Sequence, residues 1–254
     1  MQHKIQIIPI PAFEDNYIWL LHNGTEALIV DPGDAVPVIA ALNKLQLHLN
    51  TILITHHHDD HIGGVQALIE HYPNVQIYAP KHERYDFPHR AVCEPDTVSV
   101  PDFNLNFSVI DLPGHTLGHI AYYTQDTLFC GDTLFGAGCG RLFEGTPEQM
   151  YHSLQKLVRL PQNTKVYCTH EYTSHNIDFA LTLEPNNADL IQRKLATEKL
   201  RNNLQPSLPS ILSLELATNP FLRCDNTEIA ATLNLENDPP LEVFRKMRHM
   251  RNHY

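Results

Sequence analysis

Two rhythms of apolar positions run along the chain. In the first two thirds, short β-branched and apolar runs are bounded by Gly, Pro and Asp, as strands are, over residues 5–10, 17–21, 27–30, 52–54, 75–78, 105–110, 120–123, 128–130 and 166–168. Helical stripes lie between some of them: Val38, Ile39, Leu42 and Leu45 form one, and Val65, Leu68, Ile69 and Tyr72 another. A third helix should open at Thr146-Pro147-Glu148-Gln149, which offers a cap, a first-turn proline and a capping-box glutamine ahead of Met150, Leu154, Leu157 and Val158. Strands outnumber helices and partly follow one another as hairpins, so sheets covered by helices fit better than a plain βαβ array. The N-terminal alternation with its prolines reads as an edge strand. Beyond about residue 172 strand patterns vanish, and helical segments at 188–202, 210–217, 227–234 and 241–253 are punctuated by Pro206, Pro209, Pro220, Pro239 and Pro240. The expected division is a first domain over 1–172 and a small all-helical one over 173–254, which needs the first for a core.

Composition narrows the classes. With 254 residues and 43% hydrophobic content the chain can build a core without staples, and its net charge of -11 argues against a broad nucleic-acid or anionic-membrane surface. No apolar run approaches the roughly 18 residues that span a bilayer. The five cysteines are scattered and include no CxxC, and the N-terminal string has no basic-then-apolar signal, so a reducing cytoplasmic setting is expected. The 17 histidines nearly equal the 18 lysines and arginines, and their positions carry the chemistry.

The strongest string is Thr55-His56-His57-His58-Asp59-Asp60-His61-Ile62-Gly63-Gly64, between an apolar strand and a helical stripe. One or two histidines there would be ordinary loop polarity. Four histidines and two aspartates in six residues are costly to pack without a partner, and a metal ion is the obvious one. Residues two apart in an extended segment point the same way, so His56 and His58 can converge while His57 points elsewhere; Asp60 and His61 enter the helix and can serve a second ion. Three further strands deliver a ligand type at their exits: His115 after 105–110, Asp132 after 128–130, and His170 after 166–168. Asp31 follows the strand at 27–30 and either shapes the turn or supports a ligand.

These motifs resemble the metallo-β-lactamase superfamily signature, HxHxDH followed by single His, Asp and His ligands. The resemblance implies an α+β fold, an αββα sandwich carrying here a smaller C-terminal all-α domain. It implies two divalent metal ions, zinc first with iron or manganese as alternatives, held by His56, His58 and His115 on one side and Asp60, His61 and His170 on the other, with Asp132 bridging. A hydroxide bridging the ions would be the nucleophile, and Asp132 a candidate for handling the proton. The strings Ile10-Pro11-Ala12-Phe13-Glu14-Asp15-Asn16-Tyr17, Pro113-Gly114-His115-Thr116-Leu117-Gly118-His119, Gly131-Asp132-Thr133-Leu134-Phe135, Gly138-Cys139-Gly140-Arg141-Leu142-Phe143-Glu144-Gly145 and Thr169-His170-Glu171-Tyr172-Thr173 resemble the glyoxalase II, or hydroxyacylglutathione hydrolase, family over nearly the whole chain. That resemblance implies a thioesterase that hydrolyses S-(R)-lactoylglutathione to glutathione and D-lactate, a step of methylglyoxal detoxification. The chemistry agrees, since a thioester offers an electrophilic carbonyl and a thiolate that leaves with little protonation.

By the same resemblance, Arg141, Phe143, Tyr172, Arg248 and Arg251 would meet the glutathione moiety. Taken alone, Arg245, Arg248 and Arg251 share a helical face and equally suit a solvated basic helix end. Some family members carry Lys, Tyr and Lys where this chain has Arg141, Phe143 and Arg251. Arginine preserves carboxylate recognition, whereas Phe143 cannot donate a phenolic hydrogen bond. His57, Asp59 and His119 receive no catalytic role. The expected partner is a small acyl-glutathione thioester, with no nucleic acid, membrane or protein partner implied. The alternatives are a glutathione persulfide dioxygenase or a metal-dependent nuclease of the same superfamily. Asp60, His170 and residues 173–254 argue against the first, and the net charge against the second. A purely structural metal module would close its shell with four ligands.

Overall fold

A computed structural model describes residues 4–254. The first sheet runs β1 (Gln6–Ala12), β2 (Asn16–His22), β3 (Glu26–Val30), β4 (His48–Leu53), β5 (Gln76–Pro80) and β6 (Arg90–Val92), in that spatial order. β1 to β3 are antiparallel neighbours, and β3 to β6 pair in parallel. β1 is thus the edge strand expected at the N-terminus, while residues 1–3 of that string lie outside the described residues. Parallel pairing demands crossovers, and α1 (Ala35–Leu45) supplies the first between β3 and β4. Asp34 caps α1 by accepting from the Val36 N–H at 2.9 Å, and Gln46 ends it in the left-handed region. After β4 come α2 (Asp59–Ile62) and α3 (Val65–His71). Val38, Leu42, Val65 and Leu68 share one core with Ile18, Leu20, Ile29 and Ile52 of the sheet and with Ile54 just beyond β4. Each such side chain contributes about 1.5–3 kcal/mol by leaving water.

A second, antiparallel set follows as β7 (Thr97–Val100), β8 (Leu105–Asp111), β9 (Ile120–Thr124) and β10 (Thr127–Gly131). In β8, Leu105, Phe107 and Val109 are buried while Asn106 and Ser108 are exposed, the alternation of a sheet with one face on a core. The fully buried Tyr122 donates its hydroxyl to the Ile54 carbonyl at 3.0 Å, joining β9 to the end of β4.

These elements form one compact unit, which runs to Asp111 and takes in Gly118–Gly131. The other comprises Leu112–Leu117 and Asp132–Tyr254. It contains the hairpin β11 (Leu134–Phe135) and β12 (Gly138–Cys139), then α4 (Pro147–Val158), β13 (Lys165–Cys168), α5 (Thr173–Leu183), α6 (Ala188–Asn202), β14 (Ser210–Ile211), α7 (Leu212–Thr218), α8 (Thr227–Leu233) and α9 (Pro240–Arg251). The expected capping box is present on α4, with Thr146 accepting from Gln149 N–H and the Gln149 side chain accepting from Thr146 N–H. The segment beyond 172 is helical with one correction: Ser210 and Ile211 form a short strand against β13. The cut drawn at 172/173 falls inside the second unit. No helix among the described residues is long and apolar enough to cross a membrane.

Candidate metal centre

Within the first unit, the HHHDDH string turns from β4 into α2. Thr55 and His56 are fully buried, and the extended backbone at His58 (φ -64, ψ 146) hands over to the short helix. His56 Nε2 lies 3.1 Å from His58 Nδ1, so the alternation expected of an extended segment brings these two rings together. His57 points away, with its Nδ1 3.2 Å from the buried carboxylate of Glu83. One turn on, His61 Nε2 lies 3.7 Å from Asp60 Oδ2, and His56 and His61 present ligand atoms within 4.8 Å of each other. Asp60 in turn accepts from Asn16 Nδ2 at 3.0 Å.

Asp31 turns the chain at φ +52, with its carbonyl accepting the Gly33 N–H at 2.9 Å, and its carboxylate reaches the HHHDDH string. Its Oδ1 accepts the Thr55 N–H at 2.7 Å, and its Oδ2 faces the Thr55 hydroxyl at 2.7 Å and His61 Nδ1 at 3.0 Å. With Nδ1 donating to a buried carboxylate, the neutral ring leaves a lone pair on Nε2, the atom beside Asp60. His119, which the sequence left without a role, is buried with its ring stacked on His56 at 4.8 Å. Gly131 has φ +46, and a Cβ there would come within 2.3 Å of Thr55 Oγ1 and 2.8 Å of His119 Nε2. Only glycine fits that exit from β10.

Within the second unit, His115, Asp132 and His170 come together. Asp132 Oδ2 lies 3.4 Å from His115 Nε2 and 3.3 Å from His170 Nε2, and all three residues are buried. His115 Nδ1 is 2.8 Å from the Arg141 carbonyl, which selects the tautomer with its lone pair on Nε2. His170 stacks on Tyr172 with the rings 4.7 Å apart and nearly parallel, and Phe135 meets both edge-on.

His115 and Asp132 line a cavity of about 320 Å³ shared with Phe135, Cys139, Arg141, Phe143, Tyr172, His175, Asn176, Arg248 and Arg251. All five residues expected to meet the substrate therefore border one cavity. Their roles differ. Arg141 and Phe143 are exposed, and Phe143 sets its ring edge-on to His115 at 5.2 Å. Arg248 is buried, and its Nη1 donates to the Cys139 carbonyl at 2.7 Å and the Gly140 carbonyl at 3.3 Å. Arg251 gives Nε and Nη2 to Asn176 Oδ1 at 3.2 and 3.0 Å. Burial first, then repulsion from Arg248 and Arg141, holds the Arg251 guanidinium below its usual pKa. Arg245 sits apart, paired with Glu148 and Glu242. Burial also pushes the Cys139 thiol up, although Arg248 and Arg251 oppose the shift. Sequence reasoning missed Asn176, whose only signal was its position four residues after Tyr172 on one helical face.

Known proteins give a consistent picture. The metallo-beta-lactamase superfamily model matches residues 12–170, and the model of the hydroxyacylglutathione hydrolase C-terminus matches residues 171–254. A hydroxyacylglutathione hydrolase of Methylobacillus flagellatus is 56% identical over 98% of this chain and 99% of its own length. One from Nitrosomonas eutropha is 49% identical over 98% of this chain and 99% of its own. Among solved structures, TTHA1623 in a di-iron-bound form aligns with a TM-score of 0.61 at 25% identity, covering 85% of this chain and all of that one.

Proposed function

Because the chain belongs to the hydroxyacylglutathione hydrolase family, within the metallo-beta-lactamase superfamily and with that fold, we propose that it hydrolyses S-(R)-lactoylglutathione to glutathione and D-lactate, in the cytoplasm, at a centre of two divalent ions. The observation that carries the reading is the cavity that has His115 and Asp132 in its wall and Arg141, Arg248 and Arg251 around it. Glutathione bears two carboxylates, and a cationic cavity beside ligand-type residues suits a thioester with an anionic tail.

The donor set fits metal ions. His56 and His58 turn nitrogens toward one another at 3.1 Å, and two His Nε2 atoms crowd one oxygen of Asp132, arrangements that a shared cation relieves. Following the family, His56, His58 and His115 would hold one ion, Asp60, His61 and His170 the other, and Asp132 both. Imidazole and carboxylate donors without thiolate suit zinc first, with iron or manganese also accommodated. When bound, the two ions supply Lewis acidity and the hydroxide nucleophile at neutral pH.

The remaining work falls to the chain. Asp31 and the Arg141 carbonyl keep His61 and His115 in the tautomers that offer Nε2. Tyr172 supports His170 by stacking and borders the cavity, where its hydroxyl can meet the peptide backbone of the substrate. Arg141 and Arg251 bind carboxylate, while Arg248 shapes the wall through the Cys139 and Gly140 carbonyls. Residues 173–254 act as the helical substrate-binding part. Asp132, which lines the cavity, is the carboxylate assigned to handling the proton as the thiolate leaves.

The deciding experiment is the hydrolysis rate of S-(R)-lactoylglutathione by purified protein before and after metal removal and return. Hydrolysis lost on chelation and restored by zinc, iron or manganese supports the reading. Absence of hydrolysis by protein carrying two ions per chain rejects it.

A further inference from the structure

The backbone of residues 135–140 is held by side chains from elsewhere in the second unit. Asn219 Nδ2 donates to the Phe135 carbonyl at 3.2 Å and the Gly138 carbonyl at 2.9 Å. Asn176 Nδ2 donates to the Gly136 carbonyl at 3.0 Å, and the Ala137 N–H donates to Glu215 Oε2 at 2.9 Å. Arg248 takes the next two carbonyls. Ala137 is held at φ +55, a conformation that a Cβ disfavours, and its N–H is tied to a carboxylate with no exposed surface. That carboxylate is fully engaged: Glu215 Oε1 accepts from Arg193 and Ser210, and Oε2 also accepts from Asn219 Nδ2 at 3.2 Å. A Cβ on Gly138 would approach Asn176 Nδ2 to 2.4 Å, so the turn and its grip are closely fitted.

The same turn anchors all three cavity cations. Arg141 follows it in the chain, Arg248 bonds its last carbonyls, and Arg251 leans on the Asn176 side chain that holds Gly136. Three guanidinium groups that repel one another keep a fixed spacing only if their shared support is rigid.

We propose that Glu215 and Asn219, which lie outside the cavity wall, are positioning residues for carboxylate recognition: by fixing the turn at 135–138 they set the spacing of Arg141, Arg248 and Arg251. The proposal rests on the thioesterase reading of the cavity. A displaced cation array weakens substrate binding first, while the turn reaches the reacting end through the Phe135 ring against His170 and the Arg141 carbonyl on His115, so the signature is a rise in KM that exceeds any change in kcat, with bound metal retained.

The test compares wild type, Glu215→Gln and Asn219→Ser with S-(R)-lactoylglutathione, recording kcat, KM, metal content and thermal midpoint. Each variant should raise KM about tenfold, the usual scale for a lost charge-assisted contact, and change kcat less than about threefold. Adding Ala137→Gly to Glu215→Gln should bring KM back to within about threefold of wild type without restoring the thermal midpoint, because glycine adopts positive φ unaided. A loss confined to stability would not respond in this way. Unchanged KM in both variants, a fall in kcat or metal content in place of the rise, or absence of rescue by Ala137→Gly overturns the positioning role. Should Glu215→Gln fail to fold, Asn219→Ser, which deletes the grip on the two carbonyls and the bond to Glu215 Oε2 while its hydroxyl can still cap the Phe221 N–H, decides alone by the same KM criterion. A wild-type protein that does not hydrolyse the thioester sinks the reading of the cavity, a result distinct from any of these.

Discussion

Replacing Asp31 by asparagine tests how the buried histidine on α2 is prepared for metal. The backbone at Asp31 has φ +52, which asparagine tolerates, so the substitution changes chemistry with little strain. Oδ1 can still accept the Thr55 N–H, but the other end of the side chain becomes an N–H donor facing the Thr55 hydroxyl and His61 Nδ1. The hydroxyl can rotate to accept. For His61 the consequence is larger: accepting at Nδ1 puts the proton on Nε2, the nitrogen beside Asp60, and removes the lone pair a metal needs. Exchanging hydrogen bonds to a buried charge for neutral ones costs about 1–3 kcal/mol in the folded chain. The loss in metal affinity should be about 10- to 100-fold, the range found for groups that orient a ligating histidine. Metal content after dialysis against graded chelator, together with thermal melts of metal-free protein, separates the two effects. Asp31→Ala serves as a harsher control, losing all three contacts and adding a left-handed alanine that costs about 1–2 kcal/mol more. Wild-type metal affinity in the Asp31→Asn variant would refute the tautomer argument.

Removing metal should abolish thioester hydrolysis and lower the thermal midpoint, with recovery on adding zinc, followed by parallel assays and melts. Arg251→Ala should raise KM about tenfold and flatten its dependence on ionic strength, since the residue is a half-buried cation on the cavity wall; kcat and KM measured from low to high salt would show it. Phe143→Tyr, at a 61% exposed position edge-on to His115, should lower KM by about two- to fivefold if the hydroxyl gains one hydrogen bond to substrate; an unchanged KM would assign the ring to packing. Burial raises the thiol pKa of Cys139 and Cys224, so the folded chain keeps protons that the unfolded chain releases. Stability should therefore fall as pH rises above about 8.5, and Cys224→Ala should reduce that slope in denaturant titrations.

What the sequence revealed about the fold follows from how each element is stabilised. β2, β3, β8 and the capped helix α4 carry their own signals, because apolar runs, alternation and a capping box are local properties. β6, β11, β12 and β14 span only two or three residues each, and their pairing comes from neighbours distant in sequence. α5 was also missed: Tyr172 offers no side-chain cap, and its buried residues include Thr173 and Asn176, which blur the apolar stripe. Ligand-type residues at strand exits could be found because polar clusters beside apolar strands are costly and therefore informative. Asp31, with two plausible roles in sequence, meets both descriptions in the structure, turning the chain at φ +52 and reaching His61 Nδ1 at 3.0 Å, a long-range contact that no local pattern signals.

The last helix shows why a shared face does not define a shared role. Arg245, Arg248 and Arg251 recur at intervals of three on α9, and periodicity places them together as one basic stripe. Each meets a different environment. Arg245 is neutralised by Glu148 and Glu242, which disposes of it as a substrate contact. Arg248 is buried with its Nη1 spent on backbone carbonyls and its guanidinium over the Phe221 ring at 5.3 Å, so its charge supports the cavity wall. Arg251 is held by a neutral amide oxygen, which aims the guanidinium without cancelling it. An anionic ligand gains most from a cation that is oriented but not neutralised, since no existing ion pair has to be broken. By that argument Arg251→Ala should cost more in KM than Arg245→Ala by about tenfold, and equal effects would return the helix to a diffuse basic surface.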